Sequence, residues 1–297
     1  LKFNADKKFK IVQFTDVHWV PGDSASEEAA ERMNEVLDVE KPDLVIYTGD
    51  LVFGKPASEA LSKALEPVVS RHDDEQDMTR IELLEYIKDM PGNLTSTTAG
   101  ISGVTNYVLP LKSEDGKKDA AVLYVFDSNA YSSLKQVKGY DWIKPDQINW
   151  YVESSVGYTE RNGGKPLPSL AFFHIPFPEY NEAAQDENAL LIGTRKEKAC
   201  APLINTGLYA AMLNAGDIMA TFVGHDHVND YVVDWKGILL CYGRFTGGNT
   251  VYHDIPGGNG ARVIELTQGV RSFKTWERLE GGKIINEVNY PSDFQRE

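Results

Sequence analysis

The sequence predicts an α/β protein built in layers, with either one mixed sheet or two sheets packed face to face. Apolar runs of strand length occur early and late in the chain, and segments with helical spacing of apolar residues lie between them. Several strands alternate apolar and polar residues and are separated by glycine-rich turns, which is typical of antiparallel pairing. Because the 297 residues show no internal repeat, low-complexity tract or linker, we expect a single domain over residues 1–297.

Each element is predicted from its own pattern. A Ser24–Glu27 capping box would begin the first helix, and apolar residues at helical spacing continue it to Leu37. Further helices are predicted at residues 61–69, 81–90 and 203–213. The predicted strands are residues 9–14, 44–47, 105–111, 121–127, 169–173, 218–223, 231–235, 238–242 and 261–266.

The composition limits the possible partners. With 44 acidic and 30 basic residues the formal net charge is −14, which argues against a nucleic-acid or anionic-membrane surface. No stretch approaches the ~20 apolar residues of a membrane-spanning helix. The two cysteines, Cys200 and Cys241, have no metal-binding spacing and could be paired or free. The chain begins at Leu1 and shows no signal peptide, so the compartment stays open, with export to the periplasm or outside the cell slightly favoured.

Histidines and aspartates recur in short polar motifs at the ends of apolar runs. Five of the six histidines lie in such motifs. In chain order the motifs are Asp16-x-His18, Gly49-Asp50, His72-Asp73, His174 in FFHIP, and Gly224-His225-Asp226-His227.

These motifs predict a metal site. Alternate residues of an extended segment point the same way, so His225 and His227 would face one volume. In open α/β sheets the ligand site lies beyond the carboxyl ends of the strands, where the separate motifs would converge. Imidazoles together with carboxylates suit zinc, iron or manganese. The whole set therefore indicates a two-metal hydrolase.

The order of motifs resembles that of the calcineurin-like metallophosphoesterases, whose pattern is D-x-H, G-D, G-N-H-D/E, H and G-H-x-H. The stretches FFHIPFPEY, GHDHVNDY and ILLCYG look like the branch related to purple acid phosphatases. The resemblance covers most of the chain. It implies a four-layer αββα sandwich of two mixed sheets, with a dinuclear metal centre at the strand ends.

The resemblance also implies the role of each motif residue. It predicts two divalent or mixed-valence transition-metal ions (Mn, Fe or Zn), with His72 protonating the leaving alkoxide or stabilising it. Asp73 and Asp226 are candidates for orienting the imidazoles. The implied ligands are Asp16, His18 and His227 for the first ion, Asp50 bridging both ions, and His174 and His225 for the second ion.

The chain departs from the family pattern at two places. Phe53 stands where purple acid phosphatases have a tyrosine ligand, so the tyrosinate colour should be absent and ferric iron is less certain. Arg71 precedes His72, where the family has Gly-Asn, and a predicted helix over residues 57–71 runs directly into that histidine. We infer that roughly ten residues, a strand and its turn, are missing. They are either hidden by continuous numbering, which we favour, or truly deleted, which would cripple the second metal site.

The predicted function is metal-dependent hydrolysis of a small phosphate ester by a monomer, with a metal-activated water and without a covalent intermediate. Phosphomonoesters are favoured. Phosphodiesters, including cyclic nucleotides, are the alternative on the same centre, and a metal-binding but inactive scaffold is a second alternative. Candidate residues for the substrate walls are Trp19, Tyr180, Asn229, Tyr231 and Arg244.

Overall fold

A computed structural model describes residues 1–66 and 79–295. Its strands are β1 Lys8–Phe14, β2 Leu44–Tyr47, β3 Tyr107–Lys112, β4 Asp119–Val125, β5 Ser169–Phe172, β6 Leu191–Ile192, β7 Ile218–Val223, β8 Val232–Trp235, β9 Ile238–Tyr242, β10 Gly260–Thr267, β11 Phe273–Leu279 and β12 Ile284–Tyr290. Its α-helices are α1 Ser24–Glu40, α2 Ala57–Leu65, α3 Arg80–Ile87, α4 Pro145–Arg161, α5 Glu179–Gln185 and α6 Leu208–Ala215.

The strands form two mixed sheets, which confirms the predicted fold class. The five-stranded sheet has the order β12-β11-β10-β1-β2, and within it β1 and β2 run parallel. The seven-stranded sheet has the order β3-β4-β5-β7-β9-β8-β6, and β4, β5, β7 and β9 run parallel. Four of the five histidine and aspartate motifs follow the parallel strands β1, β2, β5 and β7, and the fifth, His72-Asp73, lies outside the described residues.

Alternating side chains build three apolar layers between four layers of backbone. On β1, Phe9 and Ile11 pack between the two sheets, whereas Val12 and Phe14 face α1 and α2. On the other sheet, Tyr124 and its neighbours face α4, α5 and α6. Because side chains of a strand alternate between faces, each sheet buries one face against its partner sheet and the other against helices. The result is an αββα sandwich.

The structure corrects two helix starts. Helix α6 begins at Leu208 rather than at the predicted residue 203. The cap of α1 is Asp23, whose carboxylate accepts the backbone N–H of Ala25 at 3.0 Å, and the predicted Ser24–Glu27 box is wrong.

Sequence analysis also missed α4, α5, β6, β11 and β12. The buried side of α4 carries Gln147, Tyr151 and Ser155, so it lacks the apolar periodicity that identifies an amphipathic helix.

Three predictions fall outside the described residues. They are the C-terminal part of the predicted helix that runs into His72, the position of His72 itself with its neighbour Asp73, and the Cα separation of Arg71 and His72. Within the described ranges, no helix has both the length and the apolar character needed to cross a bilayer. Both cysteines are free there, Cys200 at the surface and Cys241 in the core.

Candidate metal centre

Six of the motif residues gather into two adjacent clusters at the carboxyl ends of the parallel strands. Within each cluster the candidate ligand atoms lie within 4.8 Å of one another. The members are Asp16, His18 and His227 in the first cluster, and Asp50, His174 and His225 in the second. Asp16, His18 and Asp50 follow strands of the five-stranded sheet, and the other three follow strands of the seven-stranded sheet. Each cluster therefore spans both sheets.

The first cluster directs three ligand atoms at one point. The Nε2 atoms of His18 and His227 are 3.1 Å apart. The Oδ1 atom of Asp16 lies 3.5 Å from Nε2 of His227 and 3.9 Å from Nε2 of His18. Two imidazole nitrogens this close need either a shared proton or a cation between them, because their lone pairs repel. The geometry fits a metal ion.

The second cluster has the same arrangement and joins the first through a carboxylate. Nδ1 of His225 lies 3.2 Å from Nε2 of His174. The Oδ2 atom of Asp50 is 3.3 Å from Nε2 of His174 and 3.6 Å from Nε2 of His18, which belongs to the other cluster. Oδ1 of Asp16 also lies 3.9 Å from Nε2 of His174. Both carboxylates thus stand between the clusters, as a bridging ligand would.

Four of the six cluster residues have a left-handed backbone conformation. Their φ angles are 55° at Asp16, 47° at His18, 48° at Asp50 and 81° at His225. Positive φ is uncommon in residues other than glycine and is found where a site is strained for function. The turns after β1, β2 and β7 are therefore shaped to aim these side chains.

Two glycines allow the backbone to approach the clusters. A Cβ atom on Gly49, which has φ +132°, would lie 2.6 Å from the ring of His174. A Cβ atom on Gly224 would lie 1.9 Å from Oγ1 of Thr15 and 2.6 Å from Oδ2 of Asp16. Both positions require the space that only glycine leaves. The G-D and G-H-x-H motifs owe their glycines to this packing.

Outer hydrogen bonds orient the clusters only in part. Nδ1 of His227 donates to the backbone carbonyl of Tyr252 at 2.9 Å, which leaves its Nε2 lone pair free for a metal. In the described part of the chain, Nδ1 of His18, Nδ1 of His174 and Nε2 of His225 are buried without a partner.

The carboxylate predicted to orient an imidazole has other partners. Asp226 accepts the backbone N–H of Cys200 at 3.2 Å and the hydroxyl of Tyr242 at 2.6 Å. The prediction that it orients an imidazole is therefore wrong. The chain supplies an acceptor to His227 from the distant residue Tyr252 instead.

The charges of the second cluster separate its two imidazoles. Burial alone would lower the pKa of His174, but the nearby carboxylates, Asp50 first and then Asp16, together outweigh burial and raise it to about 9. Burial, together with repulsion from His174, lowers the pKa of His225 to about 4. In the absence of a metal, His174 therefore carries the proton that lies between the two imidazoles, and His225 is neutral.

In the first cluster, which is more buried, the pKa values of the two imidazoles are also shifted in opposite directions. Burial lowers the pKa of His18, whereas Asp16 outweighs burial at His227 and raises its pKa. Burial would raise the pKa of Asp16, but hydrogen bonding and attraction from the histidines hold it well below its usual range. This carboxylate is therefore ionised near neutral pH, and in both clusters a metal ion can take the place of the proton.

The structure does not support the five predicted substrate-wall residues. All five side chains are buried in the core. The hydroxyl of Tyr180 bonds to Thr221 and to the carbonyl of Cys241, and Arg244 pairs with buried Asp230. Substrate contact needs exposed atoms, which buried and internally bonded side chains lack. We therefore withdraw Trp19, Tyr180, Asn229, Tyr231 and Arg244 as candidates for that role.

Aromatic side chains that the sequence did not point to surround the clusters instead. We call this group the aromatic rim, and its members are Phe53, Tyr131, Tyr140 and Tyr252. The sequence identified Phe53 only as the residue that stands where purple acid phosphatases have a tyrosine ligand. The three tyrosines lie in loops, and no motif marks them.

A cavity of about 340 Å³ opens beside the second cluster, between Asp50, His174 and Arg80. Its remaining wall is mainly apolar and comes from both sheets and from α3. Cavities of this size hold small-molecule ligands in other proteins.

The fold and the paired clusters define an α/β protein with a candidate dinuclear metal site. The chain belongs to the calcineurin-like phosphoesterase family, whose model matches residues 9–229. The predicted resemblance to this superfamily and to its purple acid phosphatase branch is confirmed.

Curated relatives cover nearly the whole chain. It is 32% identical to probable inactive purple acid phosphatase 29 of Arabidopsis thaliana over 334 residues, which cover 94% of this chain and 84% of that protein. Because that alignment is longer than the 297-residue chain, the relative holds residues without a counterpart here. The chain is also 34% identical to phosphatase DCR2 of Saccharomyces cerevisiae over 320 residues, covering 92% of this chain and 54% of that one.

Solved structures share the fold. A dimetal phosphatase from Danio rerio superposes with a TM-score of 0.61 at 12% identity, over 95% of this chain and 98% of that chain. GAP50 of Plasmodium superposes with a TM-score of 0.53 at 13% identity, over 95% and 88%. At these identities the likeness concerns architecture alone.

Proposed function

We propose that the chain is a metal-dependent phosphomonoesterase that uses two transition-metal ions. The observation that carries this proposal is the pair of clusters that share the carboxylates of Asp50 and Asp16, with the ligand atoms of each cluster within 4.8 Å of one another. A pair of ions held in this way supplies the positive charge that a phosphate ester and its departing oxygen require. The identity of the metals is part of the proposal, with manganese, iron and zinc as candidates.

The chain's own residues then have distinct roles. In this proposal Asp16, His18 and His227 hold one ion, His174 and His225 hold the other, and Asp50 bridges them. The carbonyl of Tyr252 keeps His227 in the tautomer that presents Nε2 to the ion. His72, outside the described residues, stays the predicted donor of a proton to the leaving alkoxide.

The names of relatives support hydrolysis of phosphate esters without agreeing on activity. The yeast relative is named a phosphatase, whereas the Arabidopsis relatives are named probable inactive purple acid phosphatases. Monoesters are favoured over diesters because these names refer to phosphatases. The inactive scaffold stays the second candidate, since Arg71 stands where the family pattern supplies an asparagine ligand.

The decisive experiment measures metal content and hydrolysis together. Wild-type protein should bind two ions per chain and hydrolyse a chromogenic phosphate ester. Asp50→Asn should lose metal and slow hydrolysis by orders of magnitude, because its carboxylate reaches both clusters. Asp254→Asn is the matched control, since this exposed carboxylate pairs with Lys196 outside the clusters. Two firmly bound ions without hydrolysis would establish the scaffold instead, and an undiminished two-ion site in Asp50→Asn would remove the bridging role.

A second experiment concerns the proton donor. His72→Ala should keep both ions and slow esters with poor leaving groups more than nitrophenyl esters, because good leaving groups need little protonation. Equal slowing of both kinds of ester would count against the acid role. Sequencing the gene across the Arg71–His72 junction shows directly whether residues are missing there.

A further inference from the structure

The aromatic rim touches three of the four candidate imidazole ligands. The ring of Tyr252 stacks on His227 with centroids 4.5 Å apart and 25° between the planes. The ring of Tyr140 meets His225 nearly perpendicularly at 4.4 Å. Phe53 meets His18 in the same manner at 5.6 Å. The rim therefore covers imidazoles of both clusters.

Tyr252 is held in place and yet open to solvent. Its hydroxyl donates to the carboxylate of Glu197 at 3.2 and 3.3 Å. Its backbone carbonyl accepts the proton of His227. One face of the ring covers His227, and the side chain is still 57% exposed, so the outer face is free. A ring fixed in this way loses little conformational entropy when another ring stacks on it.

A second ring surface lies beside His225 of the second cluster. Tyr131 stacks on Tyr140 with centroids 5.3 Å apart and 23° between the planes, and Tyr131 is 74% exposed. Tyr140 in turn contacts His225, which is two residues from His227 in the chain. Phe53, which is 63% exposed, adds a third ring beside His18. Exposed rings concentrated around one polar site mark a place where apolar surface is used for binding.

We propose that the aromatic rim recognises a flat, uncharged aromatic ring on the leaving group of the ester, stacked on the outer face of Tyr252. This inference rests on the proposed function, because it names the substrate class of the same site. The chain's formal charge of −14 favours an uncharged ring over a polyanionic leaving group. Selection acts through ring stacking and is independent of how acidic the leaving alcohol is. If the rim only shields the imidazoles, any apolar group of similar size will bind as well.

The test compares benzyl phosphate with cyclohexylmethyl phosphate. Both esters release a primary alcohol with the same number of carbons, so they differ in the flatness and aromaticity of the ring. Wild-type protein should have a higher kcat/KM for the benzyl ester. Tyr252→Leu should reduce the benzyl-to-cyclohexylmethyl ratio roughly threefold to tenfold, the value of one aromatic pair. Tyr252→Phe, the matched control, keeps the ring and should keep the ratio.

A binding measurement supplies a readout besides hydrolysis. Metal-loaded protein should bind benzylphosphonate more tightly than cyclohexylmethylphosphonate in a calorimetric titration, and Tyr252→Leu should lose that preference. Equal handling of both esters and both phosphonates by wild-type protein, or a preference that Tyr252→Leu retains, overturns the aromatic-ring proposal while phosphatase activity stands. Absence of both hydrolysis and phosphonate binding overturns the proposed function, and this inference with it.

Discussion

Gly49→Ala should disrupt the second metal site more than the first. Gly49 lies between β2 and Asp50, and its φ of +132° is a conformation that residues with a side chain rarely adopt. The added Cβ atom would lie 2.6 Å from the ring of His174, a member of the second cluster. The three atoms nearest to that position all belong to His174, whereas the first cluster meets Gly49 through its backbone carbonyl, which accepts the N–H of Asp16 at 3.1 Å.

The magnitude follows from two separate effects. The backbone strain should cost about 1–3 kcal/mol of unfolding free energy. In addition, the His174 ring must retreat by about 0.8 Å to reach the 3.4 Å of an ordinary contact. Metal–ligand distances tolerate deviations of only about 0.2 Å. We therefore expect the affinity for the second ion to fall by at least the 10- to 100-fold that loss of an outer-shell partner costs.

The assay separates strain from the clash with His174. Metal content by mass spectrometry should fall from two ions to one in Gly49→Ala, with hydrolysis falling in parallel. Gly116→Ala is the control, because Gly116 has φ +73° and no atom within 4 Å of the added Cβ. It should lose a similar amount of stability and keep both ions. Two ions and wild-type hydrolysis in Gly49→Ala would refute the placement of His174 in the second cluster.

Two further predictions test buried charges. Arg244→Ala should lower the free energy of unfolding in urea by about 3–5 kcal/mol, because it leaves buried Asp230 unpaired, and KM should stay the same. A raised KM with unchanged stability would instead restore its predicted substrate role. Burial alone would raise the pKa of Glu40, but hydrogen bonds from Trp276, Arg278 and Lys10 together outweigh burial and lower it. A carboxylate with a lowered folded pKa stabilises above its unfolded pKa and loses that effect as the pH falls. Glu40→Gln should therefore be less stable than wild type at pH 7, and the difference should shrink below pH 4.5; a difference that does not change with pH would contradict this.

The fold was predictable where burial left a simple pattern. Residues 44–47, 218–223 and 238–242 were predicted with the bounds that the structure has, because each is a short apolar run between turn residues. The same reasoning failed for α4, whose buried side includes Gln147 and Ser155 bonded to partners in the core. A polar residue whose hydrogen bonds are made inside the protein cannot be distinguished in the sequence from one that is exposed to solvent. Only the tertiary contact distinguishes them.

The metal site was predictable for a related reason, and its rim was not. The candidate ligands follow strands directly, so strand direction alone brings them together. Candidates for substrate contact were chosen by closeness to ligands along the chain, and Tyr231, four residues after His227, turned out to lie in the core. Tyr252 is 25 residues after His227, and it reaches that histidine because its loop folds back. A loop that folds back onto a distant residue produces no periodic pattern in the sequence.

Because the candidate ligands come from both sheets, bound ions would also hold the two sheets together. Asp16 follows β1 of one sheet and His227 follows β7 of the other, so an ion held between them cross-links the sandwich at one edge. A ligand that binds only the folded state adds about 2.7 kcal/mol of stability at 100 times its dissociation constant. The metal supply would then help to set the free energy of unfolding of this chain. A chain of this family that has lost catalysis would still have a physical reason to keep its histidines.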